Sequence, residues 1–125
     1  YDVVAGAESR GFIFGTPIAY KQHKPFVLIR KKGKLPCETV EMTYDLEYGS
    51  NVLAIHEDAL APGDKVVIVD DLLATGGTAL ATAHLCEKAG AEVVGFCFVI
   101  DLVDLNGRKL LKDYDVYSLL EYEGE

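Results

Sequence analysis

The residues best suited to chemistry stand in one run, Val66-Val67-Ile68-Val69-Asp70-Asp71-Leu72-Leu73-Ala74-Thr75-Gly76-Gly77-Thr78. An apolar, β-branched stretch ends in two acids, and a short loop of small residues then opens a helical segment. In open α/β sheets, ligands sit beyond the carboxyl ends of the strands. A glycine-rich loop at a helix start offers bare backbone N–H groups to an anion, and Thr75 and Thr78 add hydroxyl donors. The carboxylates of Asp70 and Asp71 accept hydrogen bonds from hydroxyls nearby. A phosphate and a diol held side by side describe a phosphorylated sugar. Taken singly, either acid could as well be a helix cap or a solvated charge at a strand end. Only the whole run is specific. The chain contains neither G-x-x-x-x-G-K-[ST] nor G-x-G-x-x-G, which excludes Walker-type and dinucleotide phosphate sites.

Charge points the same way. The net charge of −8 argues against a nucleic-acid binder, because phosphate contacts along a polymer need a basic face. Yet six of the twelve basic residues fall between Lys21 and Lys34, among them Arg30, Lys31, Lys32 and Lys34. A local basic cluster on an acidic chain suits a small, highly charged anion. Cys37, Cys86 and Cys97 are too few and too widely spaced for a disulfide framework or a metal knuckle. They are expected to be reduced thiols in the cytoplasm. No apolar run reaches the roughly 20 residues of a membrane span. His23, His56 and His84 lie apart, without metal-ligand spacing, and Ser9 has no evident His and acid partners for a hydrolase triad. Tyr114, Tyr117 and Tyr122 are expected as core, edge or interface aromatics.

The elements that must hold these residues follow from the apolar pattern. Runs at 3–5, 26–29, 66–69, 93–100 and 116–120 are rich in Val, Ile and Phe and are bounded by turn residues. That is the signature of strands buried on both faces of a parallel sheet. Helical segments are predicted between them, over 11–22 and over 78–89, the second stopped by Gly90. An α/β domain with right-handed crossovers is the expected architecture for 1–125, whose length suits a single core. The stretch from Gly33 to Asp64 breaks the rhythm. Within it, 39–44 and 52–56 read as two short polar strands around Tyr48-Gly49-Ser50-Asn51. A long excursion in a compact domain is more often functional than idle, so a lid over about 33–57 is predicted. Tyr1-Asp2-Val3-Val4 already reads as a strand, with the expectation that further sequence precedes it.

The run from Val67 to Thr78 resembles the phosphoribosyl-pyrophosphate motif of type I phosphoribosyltransferases. The resemblance implies that Asp70 and Asp71 meet the ribose hydroxyls, while Ala74, Thr75, Gly76, Gly77 and Thr78 hold the 5′-phosphate. Three other segments are similar to the adenine-using branch of the family and, with the motif, cover nearly all of the chain. Ala5-Gly6-Ala7-Glu8-Ser9-Arg10-Gly11-Phe12 looks like its first loop, which implies a pyrophosphate contact from Arg10. Arg30-Lys31-Lys32-Gly33-Lys34-Leu35-Pro36 looks like its second basic element, which implies the same role for Arg30, Lys31 and Lys34. Tyr44-Asp45-Leu46-Glu47-Tyr48-Gly49 is similar to its closing loop, with Glu47 as general acid/base and Tyr48 beside it. Leu102 falls where the family contacts the purine.

What the resemblance implies is a reaction of adenine with phosphoribosyl pyrophosphate to give AMP and pyrophosphate. It also implies Mg²⁺ held mainly by substrate and water rather than by side chains, a homodimer, and no membrane or nucleic-acid partner. The resemblance also implies an N-terminal hood of some 50 residues, expected to lie ahead of the strand that opens this sequence. Two other readings stand beside it, a non-catalytic sensor of phosphoribosyl pyrophosphate and transfer to hypoxanthine, xanthine or orotate. The sensor has no need of Glu47 on a closing loop. The Glu-Ser-Arg-Gly and Leu-Glu-Tyr-Gly segments separate the other acceptors.

Overall fold

Residues 1–33, 35, 39–46 and 49–124 are described in the computed structural model, the side chains of 42, 44–46 and 49–51 excepted. Seven strands and three helices follow in order: β1 (Val3–Ala7), α1 (Arg10–Gln22), β2 (Phe26–Lys31), β3 (Thr39–Leu46), β4 (Gly49–His56), β5 (Lys65–Leu73), α2 (Gly77–Lys88), β6 (Glu92–Leu102), α3 (Gly107–Leu110) and β7 (Asp115–Tyr122). A 3₁₀ turn, Val103–Leu105, links β6 to α3.

The strands form one sheet in the order β3-β4-β2-β1-β5-β6-β7. β1 pairs in parallel with β2 and β5, and β6 pairs in parallel with β5 and β7. β1 is buried throughout, as the central strand of a sheet covered on both faces must be. Successive side chains alternate between the faces, so β1 feeds two cores. Val3 and Ala5 join Val66, Ile68, Phe96 and the α2 residues Ala83, Leu85 and Cys86 in the larger core. Val4 joins Val69 and Ala19 of α1 in the smaller core. The chain thus carries α1 on one face and α2 on the other.

α1 lies close against the sheet because glycines face it. A Cβ on Gly6 would stand 2.9 Å from the Gly11 carbonyl oxygen, and one on Gly15 would strike the Phe26 ring. The helix runs through Pro17 and ends at His23, whose left-handed φ of 56° turns the chain towards β2.

The apolar runs at 3–5, 26–29, 66–69, 93–100 and 116–120 all lie inside strands, and both predicted helices form to within a residue at each end. Three features go beyond the sequence reading. β6 extends to Leu102, which is therefore the last residue of the strand and not a residue after it. The 3₁₀ turn and α3 fill the stretch before β7. The excursion after β2 is a β3–β4 hairpin sewn into the sheet, with β4 antiparallel to β2 through Ile29–Ile55, Arg30–Ala54 and Lys31–Leu53. Leu53, Ala54 and Ile55 are buried, so the base of the hairpin is core.

Candidate active site

The carboxyl end of β5 and the start of α2 enclose a cavity of about 250 Å³. Asp70 and Asp71 line it together with Ala74, Thr75, Gly76, Gly77 and Thr78, so the acids and the loop face one space. Gly76 makes the turn possible. It is the N-cap of α2 and has φ +91°, a conformation that L side chains rarely adopt. No side chain caps this helix start among the described residues. The first-turn amides of α2 have no acceptor within their own helix, and the macrodipole adds partial positive charge. Such an end accepts a phosphate.

The acids are not equivalent. The Asp71 backbone N–H donates to Asp70 Oδ1 at 2.8 Å, and Arg10 Nε pairs with Asp71 Oδ2 at 2.9 Å. Burial is the main reason that the Asp70 carboxyl is pushed up from 3.8 to about 7; a side-chain hydrogen bond with Asp71 and the Asp71 charge add to the rise, while the Asp71 backbone N–H and Arg10 oppose it. Arg10 opens α1 at the end of β1, and its side chain is 71% exposed. An exposed ion pair exchanges partners at little cost.

Glu8 also lines the cavity. Its Oε1 accepts the Lys31 backbone N–H at 2.7 Å and lies 3.4 Å from Arg30 Nε, tying the loop after β1 to the end of β2. The Glu8–Ser9 peptide bond is cis. Arg30 and Lys31 therefore stand one contact away from the cavity, through Glu8, and do not line it. Leu102, at the end of β6 beside Tyr122, is not a lining residue either. Lys34, Glu47 and Tyr48 lie outside the described residues.

The sequence reading assigned Glu8 no role. The signal was faint: an acid two residues before Arg10, whose partners are 22 and 23 residues further on. Phe98 was read only as part of a strand, yet it closes one wall of the cavity. Among the described residues, no three His, Cys, Asp or Glu side chains gather as a metal cluster. Tyr114 stacks edge-on against Phe96 and donates to Glu87 at 2.9 Å, while Tyr117 and Tyr122 are exposed.

The model of the phosphoribosyl transferase domain matches residues 1–125. An adenine phosphoribosyltransferase of Agathobacter rectalis is 62% identical over the whole of this chain, which covers 72% of that protein. Among solved structures, adenine phosphoribosyltransferase from Thermoanaerobacter pseudethanolicus superposes with a TM-score of 0.95 at 51% identity, covering 98% of this chain and 71% of that one. The Saccharomyces cerevisiae adenine phosphoribosyltransferase, complexed with an imino-altritol bisphosphate and adenine, gives 0.91 at 44% identity, covering 95% and 67%.

Proposed function

The chain belongs to the phosphoribosyl transferase family, and on that premise we propose that it converts adenine and phosphoribosyl pyrophosphate to AMP and pyrophosphate, a purine-salvage reaction. The observation that carries this reading is the shared cavity: two carboxylates at the exit of β5 and a run of uncapped amides at the start of α2. Its two halves match the two ends of a phosphorylated ribose.

In this reading the amides and hydroxyls of 74–78 hold the 5′-phosphate, and Asp70 and Asp71 accept hydrogen bonds from the ribose diol. Arg10 then leaves Asp71 for the pyrophosphate. One resting ion pair is exchanged for two contacts with substrate, the acid on the sugar and the guanidinium on the leaving group. Breaking the bond from C1 of ribose to pyrophosphate places positive charge on the sugar and negative charge on the departing oxygens. Arg10, with Arg30 and Lys31 at the end of β2 and Lys34 further along the chain, stabilises that separation. Glu47 exchanges a proton at the purine ring with Tyr48 beside it, a closed lid excludes water, and Leu102 meets the base. Mg²⁺ fits as an ion carried by the substrate. Asp70 and Asp71 offer hard oxygen atoms, and no three His, Cys, Asp or Glu side chains gather as a metal cluster among the described residues, a donor set suited to an ion that keeps water and phosphate ligands. When bound, that ion neutralises charge on the leaving pyrophosphate.

A cytoplasmic homodimer is part of the same proposal. Cys86 and Cys97 are free thiols, and Ile13, Phe14, Tyr117 and Leu119 leave an apolar surface beside α1 that suits self-association. No helix among the described residues is long and apolar enough to cross a membrane. The test is a base-panel assay with Mg²⁺ and phosphoribosyl pyrophosphate. Adenine is expected to be consumed with stoichiometric AMP, and hypoxanthine, xanthine and orotate to be left. Turnover of another base in preference to adenine would reject the acceptor, and binding of phosphoribosyl pyrophosphate without turnover would identify a sensor.

A further inference from the structure

We propose that Asp101 and Arg108 are positioning residues for the phosphate loop, acting through Gly107; the inference rests on the reading of 74–78 as that loop. Asp101 is 1% exposed and pairs in register with Leu73, the residue just before the loop begins. Its Oδ2 accepts Arg108 Nε at 2.7 Å, and its Oδ1 is buried with no partner among the described residues. Arg108 is the counter-ion that a carboxylate so placed requires. The other two guanidinium nitrogens reach β7, donating to the Val116 carbonyl at 2.8 Å and to the Ser118 hydroxyl at 2.9 Å. All three nitrogens are used, which fixes the planar fork in one orientation.

That fork is attached to α3, and the residue before it meets the loop. A Cβ built on Gly107 would lie 2.5 Å from the Ala74 carbonyl oxygen and 2.8 Å from Leu73 Cδ1. A Cβ on Gly76 would lie 2.9 Å from the Gly107 carbonyl oxygen. Two stretches of bare backbone thus rest on one another, and a shift of one moves the other. On the far side Leu111 is fully buried in the larger core. The 107–111 segment is held at both ends, by Arg108 on β6 and β7 and by Leu111 in the core. Gly107 is pressed on the turn whose amides face the cavity. A phosphate site depends on several N–H groups converging to within tenths of an ångström, and a fixed backing keeps them there before ligand arrives.

The test compares Arg108→Lys, which keeps the charge but cannot make all three bonds, with Gly107→Ala, which keeps the pair but pushes on Ala74. In both, the Kd for ribose 5-phosphate and the KM for phosphoribosyl pyrophosphate are expected to rise about tenfold, the size of one lost hydrogen bond to a charged group. The KM for adenine and kcat should stay within about twofold, since only ground-state phosphate binding is weakened. The double variant should bind better than the product of the single effects implies, because both act through one contact. Should Arg108→Lys not fold, Ser118→Ala takes its place, with a smaller rise in the same Kd. Folded variants with unchanged Kd, whatever their melting temperature, would mark the pair as merely structural and overturn the proposal. If the unaltered protein bound neither phosphosugar, the functional reading itself would fall, and this inference with it.

Discussion

Asp70 holds its proton more tightly than an ordinary carboxyl, about 7 against 3.8, chiefly because the folded chain buries it. The native state therefore binds a proton that the unfolded chain has released between those values. This contribution favours folding most fully below about pH 4 and is lost as pH rises through about 7. Asp70→Asn should accordingly raise the melting temperature more at pH 8 than at pH 5, and equal shifts at both would show that the carboxyl is not perturbed. Joint replacement of Asp70 and Asp71 by Asn should abolish binding of phosphoribosyl pyrophosphate in calorimetry. Glu47→Gln should retain that binding and slow turnover by about 10²-fold or more, the range of positioned proton transfer. Wild-type turnover in this variant would remove the acid/base role. The acids and the loop were legible in the sequence because they are contiguous, so one run of thirteen residues spells out one site. Glu8 and Arg108 were not, because each works through partners brought near only by strand pairing.

At the level of elements, buried strands announce themselves by composition, and all five apolar runs fall inside strands. α3 gave no such sign. A four-residue helix is too short to show a 3.6-residue period, and what fixes it is an arginine bonded across two strands. The hairpin was legible as two strands, but its union with β2 was not, since polar alternation marks a strand without naming its neighbour. Through that union the base of the hairpin, with Leu53, Ala54 and Ile55 buried, belongs to the sheet and its core. Ile55→Ala should then cost about 2–5 kcal/mol of stability, as for other buried aliphatic side chains. Glu47→Gln should change stability by no more than about 0.5 kcal/mol. Denaturant unfolding checks both, and a harmless Ile55→Ala would mean that the base is not core. Likewise Gly15→Val should destabilise by about 1–3 kcal/mol, because the added carbons meet the Phe26 ring at the α1 contact.

For the molecule as a whole, the arrangement sets a small anion against an acidic chain. The net charge is −8, yet Arg10 lines the cavity with uncapped amides, and Arg30 and Lys31 stand beside it. On the proposed function, specificity for a phosphorylated sugar over other anions rests with Asp70 and Asp71, which repel a bare phosphate and welcome a diol. Composition revealed the basic cluster. It could not reveal that β1 and β5 lie side by side, which brings Arg10 to Asp71 across 61 residues of chain. Everything proposed for the reaction depends on that convergence. The most direct test is a crystal structure with phosphoribosyl pyrophosphate and Mg²⁺. The expected result has the 5′-phosphate within hydrogen-bond distance of the 74–78 amides, both ribose hydroxyls on Asp70 and Asp71, and Arg10 released to the pyrophosphate. A bound sugar whose diol faces away from both acids, with its phosphate elsewhere than the start of α2, would contradict it.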